Sequence, residues 1–306
     1  VVLHSPFSFN KTLLFASADL YFERVHLGKS KLAFILLAVL LVVSVAANVY
    51  LATQNASISS QAVSDATKVE MISLLSAVQT KTDSEIQRIG NSVVYASQQL
   101  SSTGISGDGA RQIISALAAN SSYIIEAATQ NLDRKMIVVE PAAFHSSEGK
   151  IIGEQKWLNP NPVGDITPTM TPVIMLITNQ SGCSIVAPVF DSNKVLIGTV
   201  SSIFDPQAMI DAAIKEVASG SGYSFTASQL DGLVVYSGHP DFKGKNLFTD
   251  ELLAANYPGV RESAQVTSAV SSGYHAYTVG TQQREAYWTT ISAYGQEWRL
   301  VIHHAT

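Results

Sequence analysis

The sequence predicts an α+β chain: an N-terminal transmembrane helix, a long stalk helix, and two tandem modules, each a curved antiparallel sheet flanked by helices. Three observations carry that prediction. The run "LAFILLAVLLVVSVAANVYLA", Leu32 to Ala52, holds 21 residues without a charge. An apolar seam with spacings of three and four follows it, from Ile72 to Leu100. Finally, "LDRKMIVVEPAAFHSSEGK" from Leu132 returns as "LDGLVVYSGHPDFKGK" from Leu230, 98 positions on (230 − 132). Both stretches begin Leu-Asp, pass through Val-Val, break at a proline and close on Gly-Lys.

A chain of 306 residues has room for about two domains of roughly 100–200 residues each. Its hydrophobic content is 46% against 14% charged, and the apolar excess is concentrated in residues 32–52. As a helix that run rises about 31 Å, matching a hydrocarbon core of about 30 Å. It has no polar face, which a helix at the surface of a soluble core would show. Arg24, Lys29 and Lys31 precede it and the next basic residue is Lys68. The positive-inside rule therefore puts residues 1–31 in the cytoplasm and 53–306 outside. "SVAAN" offers small residues for signal-peptide cleavage, but 31 residues ahead of the apolar run is long for a signal peptide, so an uncleaved anchor is the favoured reading. The sequence opens on Val with no Met before Met71, which leaves the true start open. A net charge of −5 without a Lys/Arg cluster argues against a nucleic-acid partner. The single cysteine, Cys183, excludes an intrachain disulfide and reads as a small buried hydrophobe.

The stalk, residues 53–104, has no proline, and Ile72, Leu75, Gln79, Thr82, Ile86, Ile89, Val93, Ala96 and Leu100 mark a heptad-type seam. It faces either the chain's own modules or a second copy in a homodimer; the sequence leaves both open. "SSTGISGDGA" at 101–110 reads as a loop, with Asp108 capping a short helix to about Asn120. In the distal module, residues 105–218, "YIIEAATQ" and "KMIVVE" flank a hairpin turn at "NLD". An irregular stretch with Pro160, Pro162, Pro168 and Pro172 follows, then the strands "PVIMLIT", "CSIVAPVF" and "VLIGTVSSIF". "DPQAMIDAAIKEVA" starts a helix, with Asp at the N-cap and Pro in the first turn. "SGSG" opens the proximal module, residues 219–306, which repeats the plan with "GYSFTAS", "GLVVYS", the short helix "TDELLAA", then "GYHAYTVG", "REAYWTTIS" and "EWRLVIHH". Most gaps between strands are too short for helical crossovers, so both sheets are expected to be antiparallel.

These stretches resemble the double Cache family of extracytoplasmic sensor domains, whose two modules are PAS-like, over nearly all of residues 57–303. "APVFDSNKVLIGTVSSIF" (187–204) looks like that family's strand–turn–strand signature. "GHPDFKGKNLFTDELL" (238–253) and "REAYWTTISAYGQEWRLVI" (284–302) are similar to the closing portion of Cache domains in archaeal, especially methanogen, membrane proteins. The resemblance implies a small molecule bound in the distal module, at about 120–205, between its sheet and a covering loop. The family's amino-acid-binding branch uses an Arg-x-Trp-Tyr group and an Asp on the last distal strand. Here "QKWLN" (155–159) lies near the first and Ile203 falls where the Asp would be, which argues against an α-amino-acid ligand, since an ammonium group buried there lacks its counter-charge. Lys156 and Trp157 are candidates for a carboxylate partner and an apolar wall. Tyr123, Met136, Val138, Met175, Ile177, Ser201 and Ile203 are candidates for the lining. For the apolar members core packing is the competing reading, and for Lys156 and Trp157 it is a solvated charge and a loop anchor. A mostly apolar pocket suits a short organic acid or a neutral metabolite.

No nucleophile–base pairing, G-x-S-x-G elbow or H-E-x-x-H helix occurs, so no catalysis, cofactor or metal is expected. His303 and His304 are neighbours on a strand and point to opposite faces, which keeps them from sharing a metal. The expected function is a membrane-anchored sensor passing its signal through the single N-terminal helix, a signalling partner chain or sequence beyond this chain. The rival is a surface solute-binding or structural protein that does not signal.

Overall fold

The computed structural model describes residues 29–153, 167–175 and 181–305; the side chains of residues 29–35, 38, 55–63 and 175 lie outside the description. The chain divides into two compact units, Val1–Ala66 and Thr67–Thr306. In the first, the described residues belong to helix α1, Lys29–Thr103, which continues into the second. Leu36, Leu37, Val39–Val43 and Val45 are each more than half exposed. Among the described residues no helix is long and apolar enough to cross a membrane. The transmembrane segment expected at 32–52 is therefore not established by the fold.

In the second unit the seam on α1 is resolved. Leu75, Thr82, Ile86, Ile89, Val93, Ala96 and Leu100 are buried, and the row is completed by Met71 and Val78. Ile72, expected in the seam, is 50% exposed, because the buried face runs one residue earlier at that turn. The seam faces the chain's own modules. Its two polar members are satisfied, Gln79 by a module and Thr82 by its own helix: Gln79 Nε2 donates to Thr290 O at 2.7 Å, Gln79 Oε1 accepts from Thr289 Oγ1 at 3.1 Å, and Thr82 Oγ1 donates to Val78 O at 2.8 Å. Burial of each large apolar side chain in this row contributes roughly 1.5–3 kcal/mol, and the two hydrogen-bonded members avoid the penalty of an unsatisfied buried polar group.

After α1 come α2 (Gly107–Ala118), β1 (Ile124–Gln130), β2 (Met136–Glu140), β3 (Thr169–Met170), β4 (Ile174–Met175), β5 (Ser181–Phe190), β6 (Leu196–Phe204) and α3 (Pro206–Ala218). Asp205 caps α3 through Ala208 N at 2.9 Å. The cap expected from Asp108 is not made; Ser106 holds the N-cap position and Asp108 lies within the first turn. The proximal module has β7 (Ser224–Gln229), β8 (Val234–Ser237), α4 (Glu251–Asn256), α5 (Val260–Ala269), β9 (Gly273–Val279), β10 (Gln282–Ala293) and β11 (Gln296–Ala305). Strand order is β2-β1-β6-β5-β3 in one sheet, with β4 on β5, and β8-β7-β11-β10-β9 in the other; all pairings are antiparallel. Both sheets therefore set their first hairpin beside their last strand, and the inner faces of both share one apolar core with α1.

The repeated motif is a repeated hairpin. Between β1 and β2, Asn131 Oδ1 accepts from the backbone N–H of Asp133 and Lys135, and Arg134 takes a φ of 64°. Between β7 and β8, Asp231 Oδ1 accepts from Leu233 N, and Gly232 takes a φ of 88°. Arg134 and Gly232 are again 98 apart (232 − 134). The shared Gly-Lys is where each loop returns to its second strand: Met136 N donates to Lys150 O and Val234 N to Lys245 O, both at 2.9 Å. The two modules are tied directly by Met170 N to Tyr294 O, 2.9 Å, and Val173 N to Gln229 Oε1, 2.8 Å.

Candidate functional site

Strand register assigns each expected distal residue to a face. Across β1 and β6, Glu126 pairs Ile203, Ala127 pairs Ser202, and Ala128 pairs Ser201. Ala127 belongs to the core with α1, so Glu126, Ala128, Ser201 and Ile203 look the other way, onto the outer face. Met136 shares that face, packing with Ala128 and Val139 in a small outer cluster. Val138 lies on the inner face, packed with α1 and α2, and Tyr123 also packs there. The structure thus places Met136, Ser201 and Ile203 on one face of the sheet and Val138 and Tyr123 on the other. Lys156, Trp157 and Ile177 lie outside the described residues, and Met175 is placed only by its backbone in β4.

The cross-strand partner of Ile203 is a buried acid, Glu126. Glu126 is 8% exposed, and burial pushes its carboxyl up to about 7. Sequence reading passed over it because a glutamate at the third position of an apolar strand carries no motif.

A well-defined hollow sits on the outer face of the proximal sheet, with a volume of about 450 Å³, within the range of small-molecule sites. Its floor is β7, β8, β9, β10 and β11, and its roof is α5. Helix α5 presents Val260, Ser263, Ala264 and Thr267, one face at spacings of three and four. Three of these are small, and that smallness keeps the helix from filling the space beneath it. At one end His239, Phe242 and Tyr257 contact each other, with ring centroids 5.1–5.4 Å apart.

At the other end lies a polar group. His303 Nε2 is 2.8 Å from Thr226 Oγ1, and its Nδ1 is 2.8 Å from Tyr277 Oη. A neutral imidazole donates from one nitrogen and accepts at the other, so one hydroxyl accepts from the ring and the other donates to it. Burial, with the Arg284 charge nearby, lowers the His303 pKa to about 4. The side chain nevertheless lines the hollow, so its partial exposure is to the cavity. Arg284 is the cross-strand partner of Tyr277; its Nε is buried without an acceptor, while Nη2 donates to Gln282 Oε1 at 3.0 Å. Sequence reading missed this site, although the repeat offset points to it: Ser224 stands to His303 as Glu126 stands to Ile203.

Cys183 is fully buried and its thiol is pushed up by desolvation, as expected of a core hydrophobe. Among the described residues no group of three His, Cys, Asp or Glu is placed to hold a metal ion.

Residues 84–206 match a family model described as the sensor domain of HK/GC/chemotaxis-like proteins. No curated protein sequence matches the chain. Several solved structures share its fold. An extracellular ligand-binding receptor of Desulfohalobium retbaense is 22% identical over 76% of this chain and 40% of its own, with a TM-score of 0.65. The present chain therefore spans well under half of that receptor's length. The ligand-binding domain of the Pseudomonas fluorescens chemoreceptor CtaA, in complex with L-leucine, is 13% identical over 80% of this chain and 97% of its own, TM-score 0.56. That of the Campylobacter jejuni chemoreceptor Tlp3, in complex with 4-methylisoleucine, is 8% identical over 79% and 91%, TM-score 0.59. The tandem α+β architecture is shared with these ligand-binding domains.

Proposed function

We propose that the chain is a membrane-anchored extracytoplasmic sensor that binds a small molecule on the outer face of its distal sheet and reports it through α1. The observation that carries this reading is that one helix face, Met71 to Leu100, packs on both sheets, so a change in either sheet has a rigid element to act on. The sensor-domain match over 84–206 and the likeness to chemoreceptor ligand-binding domains support it. Leu32–Ala52 is the proposed span, with residues 1–31 cytoplasmic. Its uncharged sequence supports that, as does the row of large apolar side chains left exposed from Leu36 to Leu51. The likeness to archaeal membrane proteins rests on 238–253 and 284–302 alone. Homodimerisation through α1 belongs to the same proposal, using the side of the helix that the modules leave bare: Val69, Ile72 and Tyr95 are each at least half exposed. A signal requires the ligand to bind two arrangements of α1 unequally; without such a difference the chain is a solute-capturing surface protein.

Met136, Ser201 and Ile203, with Lys156 and Trp157 from the covering stretch, suit a short organic acid or neutral metabolite. One observation favours a second reading of the ligand. Glu126 supplies on the neighbouring strand the counter-charge that Ile203 lacks, which suits a ligand with an ammonium group. Isothermal titration of the full chain with short carboxylates, their amides and neutral amino acids decides between them. Glu126→Gln is expected to abolish amino-acid binding and leave carboxylate binding intact. A chain that gives no heat with any of these compounds is not the sensor proposed.

A further inference from the structure

We propose that the hollow in the proximal module is a second binding site, taking a small organic monoanion whose carboxylate meets Arg284 and whose apolar body lies against Phe242, Tyr257 and Val260. This goes beyond the distal reading and does not depend on it.

Three features of the hollow point to a ligand. First, it lies on the outer face of the second copy of the fold, with His303 on the last strand in the place that Ile203 takes in the first. Second, Arg284 is the only Arg or Lys among the described lining residues, which include no Asp or Glu. Its Nε–H is buried and lacks an acceptor. The guanidinium is half-buried and its other contacts are to Gln282 and Tyr277, so a buried Nε–H is left over; a carboxylate supplies that N–H with an acceptor and the cation with an opposite charge. One arginine balances one negative charge, so a monoanion fits better than a phosphate dianion. Third, the rest of the wall is largely apolar and aromatic, with Phe225, Leu247 and Val301 adding to the three named residues, so the body of the ligand is apolar. His303 is a positioning residue here. Both its nitrogens are engaged, and they hold Tyr277 beside its cross-strand partner Arg284.

The test is calorimetry and thermal melting of the full chain in detergent with acetate, butyrate, benzoate and phenylacetate, each paired with its neutral amide. At least one of the larger carboxylates is expected to bind and raise Tm, and its amide to bind at least about tenfold more weakly. Arg284→Gln should lower the carboxylate affinity by at least about tenfold, with Arg284→Lys restoring part of it. Ala264→Phe, which fills the hollow from α5, should abolish binding; Thr267→Leu serves the same end should Ala264→Phe not fold. Ser201→Trp, on the distal sheet, should leave this binding unchanged. The proposal is overturned if none of the four carboxylates binds, or if the amides bind as well. It is equally overturned if Arg284→Gln binds like wild type, or if Ser201→Trp alone removes binding, which would assign the anion to the distal module.

Discussion

Buried titratable groups in the two modules pull the pH dependence of stability in opposite directions. Glu126 has a folded-state pKa of about 7, and Asp83, raised by burial alone, one of about 6. An acid whose pKa is raised on folding binds more protons folded than unfolded, so its ionisation destabilises the fold as pH climbs. For Glu126 that window runs from its ordinary value, 4.5, up to about 7. His303 goes the other way, from 6.5 down to about 4: across that window the unfolded chain binds more protons, and stability is lost as pH falls. The two offset each other between about 4.5 and 6.5, while above 7 the full cost of an ionised Glu126 remains. Glu126→Gln is therefore expected to stabilise the protein at pH 8 by on the order of 2–3 kcal/mol and to change little at pH 4. Urea unfolding at the two pH values checks this; an equal effect at both would mean that the carboxyl is not held protonated by burial.

Among the elements, α1 fits closely against the turn after β10. A Cβ at Gly90 would lie 2.1 Å from Tyr294 Oη and 2.3 Å from its Cζ, so the phenol ring lies directly on the helix backbone, with Oη donating to Gln87 Oε1 at 2.9 Å. Alanine is the better helix former by about 1 kcal/mol, yet Gly90→Ala is expected to destabilise by about 1–3 kcal/mol because the ring has to move. In a Tyr294→Ala background the same substitution should be neutral or stabilising, and chemical denaturation of the four proteins measures that coupling. This contact was not legible in the sequence, whereas the seam beside it was. Apolar spacing reports which face of a helix is buried, but not what the face meets, so the sequence left the chain's own modules and a second copy equally open. The repeated hairpin was legible because its turn needs particular residues: an Asx oxygen to accept backbone N–H groups and a left-handed residue after it. Helix α5 was overlooked. Its buried face is Ser263, Ala264 and Thr267, too small and polar to register as apolar periodicity, and for that same reason the hollow under it exists. The site lining is assembled from β7, β8, α5, β9, β10 and β11, and only pairing register, which no local pattern encodes, brings Thr226, Tyr277, Arg284 and His303 together.

At the scale of the whole molecule, the proposed sensor depends on the side of the membrane on which residues 53–306 stand, and the chain offers a clean way to determine it. Its one native thiol, Cys183, is fully buried and held protonated by desolvation, so it is silent to thiol reagents in the folded state. Ser102 is exposed near the end of α1. In intact cells, Ser102→Cys should react with a membrane-impermeant maleimide, while the unsubstituted chain should not. The full chain should also stay with membranes through an alkaline carbonate wash, because burying an uncharged 21-residue run in lipid offsets the loss of surface charge attraction. A chain beginning at Thr67, the start of the compact second unit, should be released into the wash and melt as a folded protein. Labelling of Ser102→Cys only after lysis would place both modules inside the cell, and the basic residues ahead of Leu32 would then not have set the orientation. Release of the full chain by carbonate would show that the exposed apolar row on α1 is covered by protein and not by lipid, making it an assembly surface rather than an anchor.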